Sequence, residues 1–463
     1  MSAGMNMLAG GAPLVGTGPA GDRGGSPPGV RVGPATLLAL ITGRVCWRLG
    51  WTGANVILLL TWGRDRFADY ATATGIATLL GTGLCAGLEK AALKLVPRAR
   101  RARPYLVRAV VLLTVGLPPL LVGLLALAGV AGLPHVTGLL VAVAALSTVL
   151  GANVVLVALQ RAVGHPGRDP GNYLALVTAM LALALLAGPL GLTPTGYTLA
   201  LTAITLVFDL ALVAALRPAL RPGRATGVAA GRRMLRLTGG TAVMMTGYEV
   251  TIAGAVSVAF AVLAGSSRHA ESAELYLAYS GWQIMAAGTS YLMRVYQPRL
   301  SLAQGGAAGA VRRRASRLAA GALALLAGYA LVAGGVAALI GAGALPRLPH
   351  LPLIVAIGGL FAARVPVYLL TAGAAYVLEN GDARTLRRAA AGASCGLVVA
   401  AALAVPLVGR FGAVGAAVAF LGYDAAQSAV LLAARAGGTR GRSGGGAYRS
   451  SSGRIARLLS RIR

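Results

Sequence analysis

Acidic side chains are scarce in this chain: 12 Asp and Glu stand against 42 Lys and Arg in 463 residues. Lysine is rarer still, with only Lys90 and Lys94, so nearly all of the positive charge is arginine. Charged residues of every kind make up 12% of the chain, whereas a soluble domain carries roughly 25%. That deficit excludes an ordinary soluble fold. Cysteine is limited to Cys46, Cys85 and Cys395, all inside apolar runs. An odd number without a spacing pattern excludes a disulfide framework. The four histidines, His135, His165, His269 and His350, are scattered between apolar segments. Neither a zinc site nor a histidine-based catalytic constellation is expected, and no cofactor is implied.

What the chain has in abundance is apolar sequence: 57% hydrophobic residues and a mean hydropathy of +0.74. A spanning helix needs about 20 largely apolar residues. Segments that qualify fall near 35–62, 68–89, 109–131, 136–160, 171–190 and 195–216. A second set falls near 238–264, 274–297, 318–343, 351–377, 389–408 and 412–434. The expectation is an all-α integral membrane protein with about twelve transmembrane helices, arranged as two six-helix lobes. Residues 1–34, rich in Gly and Pro, read as a disordered cytoplasmic arm without a cleavable signal. Residues 35–216 and 238–434 read as the lobes, joined by a basic linker at 217–237.

The basic residues decide the orientation. Cytoplasmic connections collect Lys and Arg. If both termini are inside, the inner connections hold almost all of them, for instance Lys90, Lys94, Arg98, Arg100, Arg101, Arg103 and Arg108 after the second span. The outer connections hold only Arg64, Arg66, Arg268, Arg347 and Arg410. The high net charge of +30 is therefore a topology signal of a cytoplasmic membrane protein, and no nucleic-acid partner is implied. The tail at 435–463 is more specific. Ile455, Leu458, Leu459 and Ile462 share one helical face with Arg between them, which suits anionic lipid at the inner leaflet.

Both halves start on the same side of the membrane, so any repeat between them is parallel, about an axis along the membrane normal. Weak matches fall on corresponding spans. Tyr70-x4-Gly75 in span two matches Tyr276-x4-Gly281 in span eight. Phe208-Asp209 in span six matches Tyr423-Asp424 in span twelve. The stretch "RDRFADYATATGIATLLGTGLCAGLEKAALKLVPRA" resembles the second-helix region of polysaccharide flippases of the multidrug/oligosaccharidyl-lipid/polysaccharide (MOP) superfamily. "ELYLAYSGWQIMAAGTSYLMRVYQPRLS" is similar to their eighth helix, and "GRFGAVGAAVAFLGYDAAQSAVLLAAR" to their last. The resemblance covers about 35–435. It implies two lobes around a central cavity, alternating access, and a lipid-linked sugar as substrate. Peptidoglycan-precursor flippases of the superfamily carry two further spans, which are missing here.

Ionisable residues inside spans mark candidate sites, because a central charge costs about 2.5–3.5 kcal/mol to insert. Arg44 and Arg48 are four apart in span one and share a face, which Asn55 also joins. Two readings are open for the arginines. They pair with Asp209 or Glu249 and pin helices together, or they bind an anionic substrate such as a lipid phosphate. Arginine suits the second because its planar fork donates two hydrogen bonds. Arg364 lies two residues before Pro366, at a potential bend facing the cavity, so it joins the substrate-binding candidates. The acids Asp209, Glu249 and Asp424 are candidates for ion pairing or for cation coupling. A cation-coupled multidrug exporter is the alternative, although a basic stripe suits cationic drugs poorly. An enzyme such as a sugar polymerase or ligase needs a sizeable outer loop, and the outer connections are short. The oligomeric state leaves no mark on the sequence.

Overall fold

The computed structural model describes residues 34–97, 102–130, 137–220, 228–303, 350–379 and 383–440. Eleven long helices occupy them: α1 (Pro34–Trp62), α2 (Arg64–Leu95), α3 (Arg103–Val130), α4 (Gly138–Val163), α5 (Arg168–Leu186), α6 (Pro194–Ala215), α7 (Val228–Ala264), α8 (Ser272–Ala303), α9 (Leu351–Glu379), α10 (Ala383–Phe411) and α11 (Ala413–Arg440). No strand occurs among the described residues. The ninth expected span, the N-terminal arm and the amphipathic face at Ile455–Ile462 lie outside them. The basic linker is shorter than expected, because α7 already begins at Val228. A four-residue helix, Arg217–Leu220, follows α6.

The helix ends follow local chemistry. Thr137 and Thr193 cap α4 and α6, each hydroxyl accepting a backbone N–H of the first turn, and Pro194 occupies the first turn of α6, where its missing donor costs nothing. Gly63 alone separates α1 from α2, at φ 77°, a backbone conformation that side chains disfavour.

Among the described residues eight helices are long and apolar enough to cross a membrane, or nine with α7, which bends by 47° between Gly247 and Glu249. Helices α1 and α8 are as long but fall short in apolarity. Arg44, Arg48 and Asn55 dilute α1, and Tyr, Ser, Gln and Thr dilute α8. These two polar helices pack against each other. The outward faces are apolar, with Leu112, Leu120, Leu124 and Leu127 of α3 exposed, as lipid-facing surface must be.

Contacts between helices recur six spans later. In the first half α1 packs on α5 and α4 on α6; in the second, α7 packs on α10 and α9 on α11. Between halves, α1 meets α8 and α2 meets α7, and a shift of six spans exchanges those two pairs. The matched tyrosines meet there as well. Tyr70 and Tyr276 touch edge to face at 6.3 Å between ring centroids. Two matching residues can touch each other only close to the axis that relates them. Gly75 lets α2 approach α7, since a Cβ there would fall 2.2 Å from the ring of Phe260.

Candidate functional site

A cavity of about 250 Å³ opens between α1, α2, α4, α5 and α8. Arg44 and Arg48 of α1 both stand on its wall. Their four-residue spacing puts them on one face, one turn apart. Around them are aromatic rings: Trp47, Trp51, Tyr173, Tyr276 and Tyr279. The Arg44 guanidinium lies 4.0 Å over the Tyr173 ring, a distance at which the ring face attracts a cation. Thr74, Thr78, Ser147, Asn153 and Gln283 add neutral polar groups. At the end holding the α1–α2 turn, packed rings close the space. Trp62, Phe67, Tyr70, Tyr197 and Tyr276 touch one another there at 5.5–6.4 Å. Beyond them Arg64 Nε reaches Glu274 Oε1 at 2.7 Å and joins the two halves.

The partners seen for the two arginines are Asp169 and Gln283. Arg44 Nε faces Asp169 Oδ1 at 3.7 Å, and Asp169 is fully buried. The same carboxylate receives Arg161 Nε at 3.1 Å, and Arg161 also reaches the buried Glu89 at 3.3 Å. Arg161 and Asp169 fall between the expected spans 136–160 and 171–190. Both side chains are buried nonetheless, where α4 ends and α5 begins. Arg48 donates to the side-chain carbonyl of Gln283 on α8. Glu249, beside the bend of α7, binds Lys90 of α2 at 2.8 Å.

Asn55 shares the face of the arginines but is not on the cavity wall. It sits seven residues beyond Arg48, about 10 Å further along the axis, and is buried. Arg364 is also away from this wall. It is 3% exposed, donates from Nε and Nη2 to Asp424, and lies 4.0 Å over the Trp282 ring. Pro366 is accommodated inside α9. The expected grouping of Arg44, Arg48, Asn55 and Arg364 is thus realised only for the first two.

Asp209 has no cationic neighbour within ion-pair distance among the described residues. Its Oδ1 accepts from Asn153 Nδ2 at 2.8 Å, and Asn153 Oδ1 accepts from Asn172 Nδ2 at 2.9 Å. All three are buried, and Asn153 touches the cavity. The residues missed by sequence reasoning were Asp169, Glu89, Lys90, Arg161, Gln283, Asn153 and Asn172. The available signal was the scarcity of acids. With 12 carboxylates against 42 cations, any acid next to a span is a candidate partner for a buried arginine.

No protein-family model matches the sequence, and no curated protein matches it. Solved structures do. Lipid II flippase MurJ in an inward closed conformation superposes with a TM-score of 0.61 at 10% identity, over 87% of this chain and 88% of that one. A MOP superfamily transporter from Pyrococcus furiosus, described as having a binding pocket of reverse polarity, gives 0.58 at 12% identity, over 87% and 95%. An outward-facing multidrug resistance MATE family transporter gives 0.58 at 12%, over 87% and 94%. Helix order, packing and these superpositions agree: this multi-pass membrane chain has the fold of the MOP superfamily transporters.

Proposed function

We propose that the protein is a flippase for lipid-linked oligosaccharide or polysaccharide precursors, working by alternating access between two lobes, 35–216 and 238–434. The observation that carries this reading is the pair of arginines on the wall of an aromatic-lined cavity in the bundle. Two guanidiniums at that depth suit a phosphate or pyrophosphate, which accepts paired hydrogen bonds from each fork. The rings beside them offer flat faces to a sugar. A volume of about 250 Å³ is below the roughly 300–1,000 Å³ of drug-sized pockets. It fits a head-group fragment, while the lipid chain stays in the bilayer.

Coupling falls to Asp209 in this reading. Glu249 has Lys90 and Asp424 has Arg364, whereas among the described residues Asp209 has only an amide. An ionised carboxylate without a counter-charge is costly to bury, so Asp209 is the acid of the three suited to take up and release a proton or a monovalent cation. The cation-coupled multidrug exporter remains a second reading. The aromatic walls favour it; Arg44 and Arg48 oppose it.

The test is a scrambling assay in proteoliposomes with a fluorescent isoprenyl pyrophosphate and a membrane-impermeant quencher. The protein should accelerate loss of protected signal, and Arg44→Ala with Arg48→Ala should remove most of that acceleration. Wild-type rates in the double variant would overturn the proposal.

A further inference from the structure

Arg48 and Gln283 are 235 positions apart, on α1 and α8, yet their side chains meet at the edge of the cavity. The contact ties one half of the chain to the other. Its chemistry is uneven: a full charge donates to a neutral amide carbonyl. A guanidinium inside the bundle needs an acceptor, because an unpaired charged donor is expensive there. An amide oxygen satisfies that need, but a phosphate oxygen satisfies it better, since bonds between two ionised groups are shorter and stronger. A carboxylate at position 283 would hold Arg48 permanently. An apolar residue would leave it stranded.

We propose that Gln283 is a latch displaced by substrate. Its carbonyl holds Arg48 while the cavity is empty, and a phosphate oxygen takes its place when the head group enters. The inference rests on the reading of Arg48 as a phosphate ligand and adds the consequence for the halves. Exchanging Gln283 for phosphate removes a cross-strut between α1 and α8. Substrate then favours the arrangement in which the halves separate, by the difference in its affinity for the two states. Tyr279 and Tyr276 share the α8 wall with Gln283, and Trp51 Nε1 of α1 donates to Tyr276 Oη at 3.2 Å, so that neutral bond remains the link to be broken as the halves separate. In this scheme Gln283 is a positioning residue that acts through Arg48.

Two substitutions separate the latch from a merely structural role, because they should act in opposite directions. Gln283→Leu removes the competing acceptor, and binding should tighten about tenfold, equivalent to roughly 1.4 kcal/mol. Gln283→Glu supplies a stronger acceptor, and binding should weaken by at least as much. The probes are inorganic pyrophosphate and farnesyl diphosphate, titrated against detergent-purified protein and followed by the fluorescence of Trp47 and Trp51. Tightening with both assigns the exchange to the phosphate group, and tightening with farnesyl diphosphate alone assigns it to lipid-linked phosphate. Either result supports the latch. Distances between spin labels on His165→Cys and Arg388→Cys, in a background lacking the native cysteines, report the halves. Gln283→Leu should shift them without ligand towards the values that wild type shows only with ligand. Gln283→Met serves as the apolar variant if Leu impairs folding. Affinities that move in the same direction for Leu and Glu, or do not move, overturn the latch. If Arg48→Ala binds pyrophosphate like wild type, the phosphate site itself is wrong and the latch falls with it. If Arg48→Ala loses binding while the Gln283 variants are silent, only the latch is lost.

Discussion

Replacing Arg364 by methionine separates a structural ion pair from a substrate ligand. Arg364 and Asp424 are 3% and 2% exposed, and the guanidinium is bonded through two nitrogens and stacked on Trp282. Methionine has comparable length and keeps the ring contact apolar. It leaves Asp424 without its counter-charge, and removing one partner of a buried pair costs about 3–5 kcal/mol. The lost cation–ring contact adds about 0.5–2 kcal/mol. Removing both charges, with Arg364→Met and Asp424→Leu, abolishes the stranded carboxylate. Such apolar replacements of buried pairs are often neutral or better. The expected order of stability is therefore wild type close to the double variant, with Arg364→Met well below both. The measurement is unfolding of purified protein by a denaturing detergent titrated into a mild one, read by tryptophan fluorescence, completed as a double-mutant cycle. If Arg364→Met unfolds where wild type does, or the double variant is as weak as the single, the pair is not what holds α9 to α11.

Other outcomes follow from the same geometry. Asp209→Asn keeps the hydrogen bond from Asn153 and should change stability by less than about 1 kcal/mol, while flipping rates in proteoliposomes should stop responding to an imposed proton or sodium gradient. Gly75→Ala forces a Cβ to 2.2 Å from the buried Phe260 ring and should cost about 1–3 kcal/mol; Gly281→Ala, with nothing within 4 Å, should be neutral or gain up to about 1 kcal/mol. Both are read by the same unfolding titration. Single cysteines at Ser267 and His165, in a background lacking Cys46, Cys85 and Cys395, should label from opposite sides of the membrane with an impermeant maleimide. Labelling of both from outside would refute the orientation.

How much of this was legible beforehand depended on the kind of signal. Helices were legible because apolar runs of about 20 residues admit little else. Their ends were not: α2 was expected at 68–89 and runs from Arg64 to Leu95. Hydropathy stops counting at the first charged residue, whereas the backbone ladder continues until a cap or a glycine ends it. The same bias left Lys90, Arg161 and Asp169 just outside the expected spans and Glu89 at the last position of one. All four adjoin a span edge, yet 0% of Glu89 and Asp169 is exposed. Arg44 and Arg48 were found because they interrupt an apolar run. Gln283 was invisible, since a neutral amide in a polar helix interrupts nothing, and its meaning appears only when α8 lies against α1.

Phe208-Asp209 of α6 and Tyr423-Asp424 of α11 match in sequence but differ in their partners. Both acids are buried on the last span of their half, and both bond to the fourth span of that half, α4 in one case and α9 in the other. The partner is Asn153 in the first half and Arg364 in the second. The corresponding spans thus give one acid a neutral partner and the other a cationic one. The second half carries a neutralised, ring-stacked pair. The first half carries a carboxylate whose charge is open to change, linked through Asn153 to the cavity that holds Arg44 and Arg48. In the proposed function, one neutralised and one open acid divide the labour between the halves. In that proposal substrate phosphate and coupling ion meet in the same half, where each alters the electrostatic cost of the other. The expected consequence is reciprocal coupling: Asp209→Asn should change the affinity of the Arg44–Arg48 cavity for pyrophosphate, and Asp424→Asn should not beyond its effect on stability. Equal effects of the two substitutions on binding would show that the halves do not divide their roles in this way.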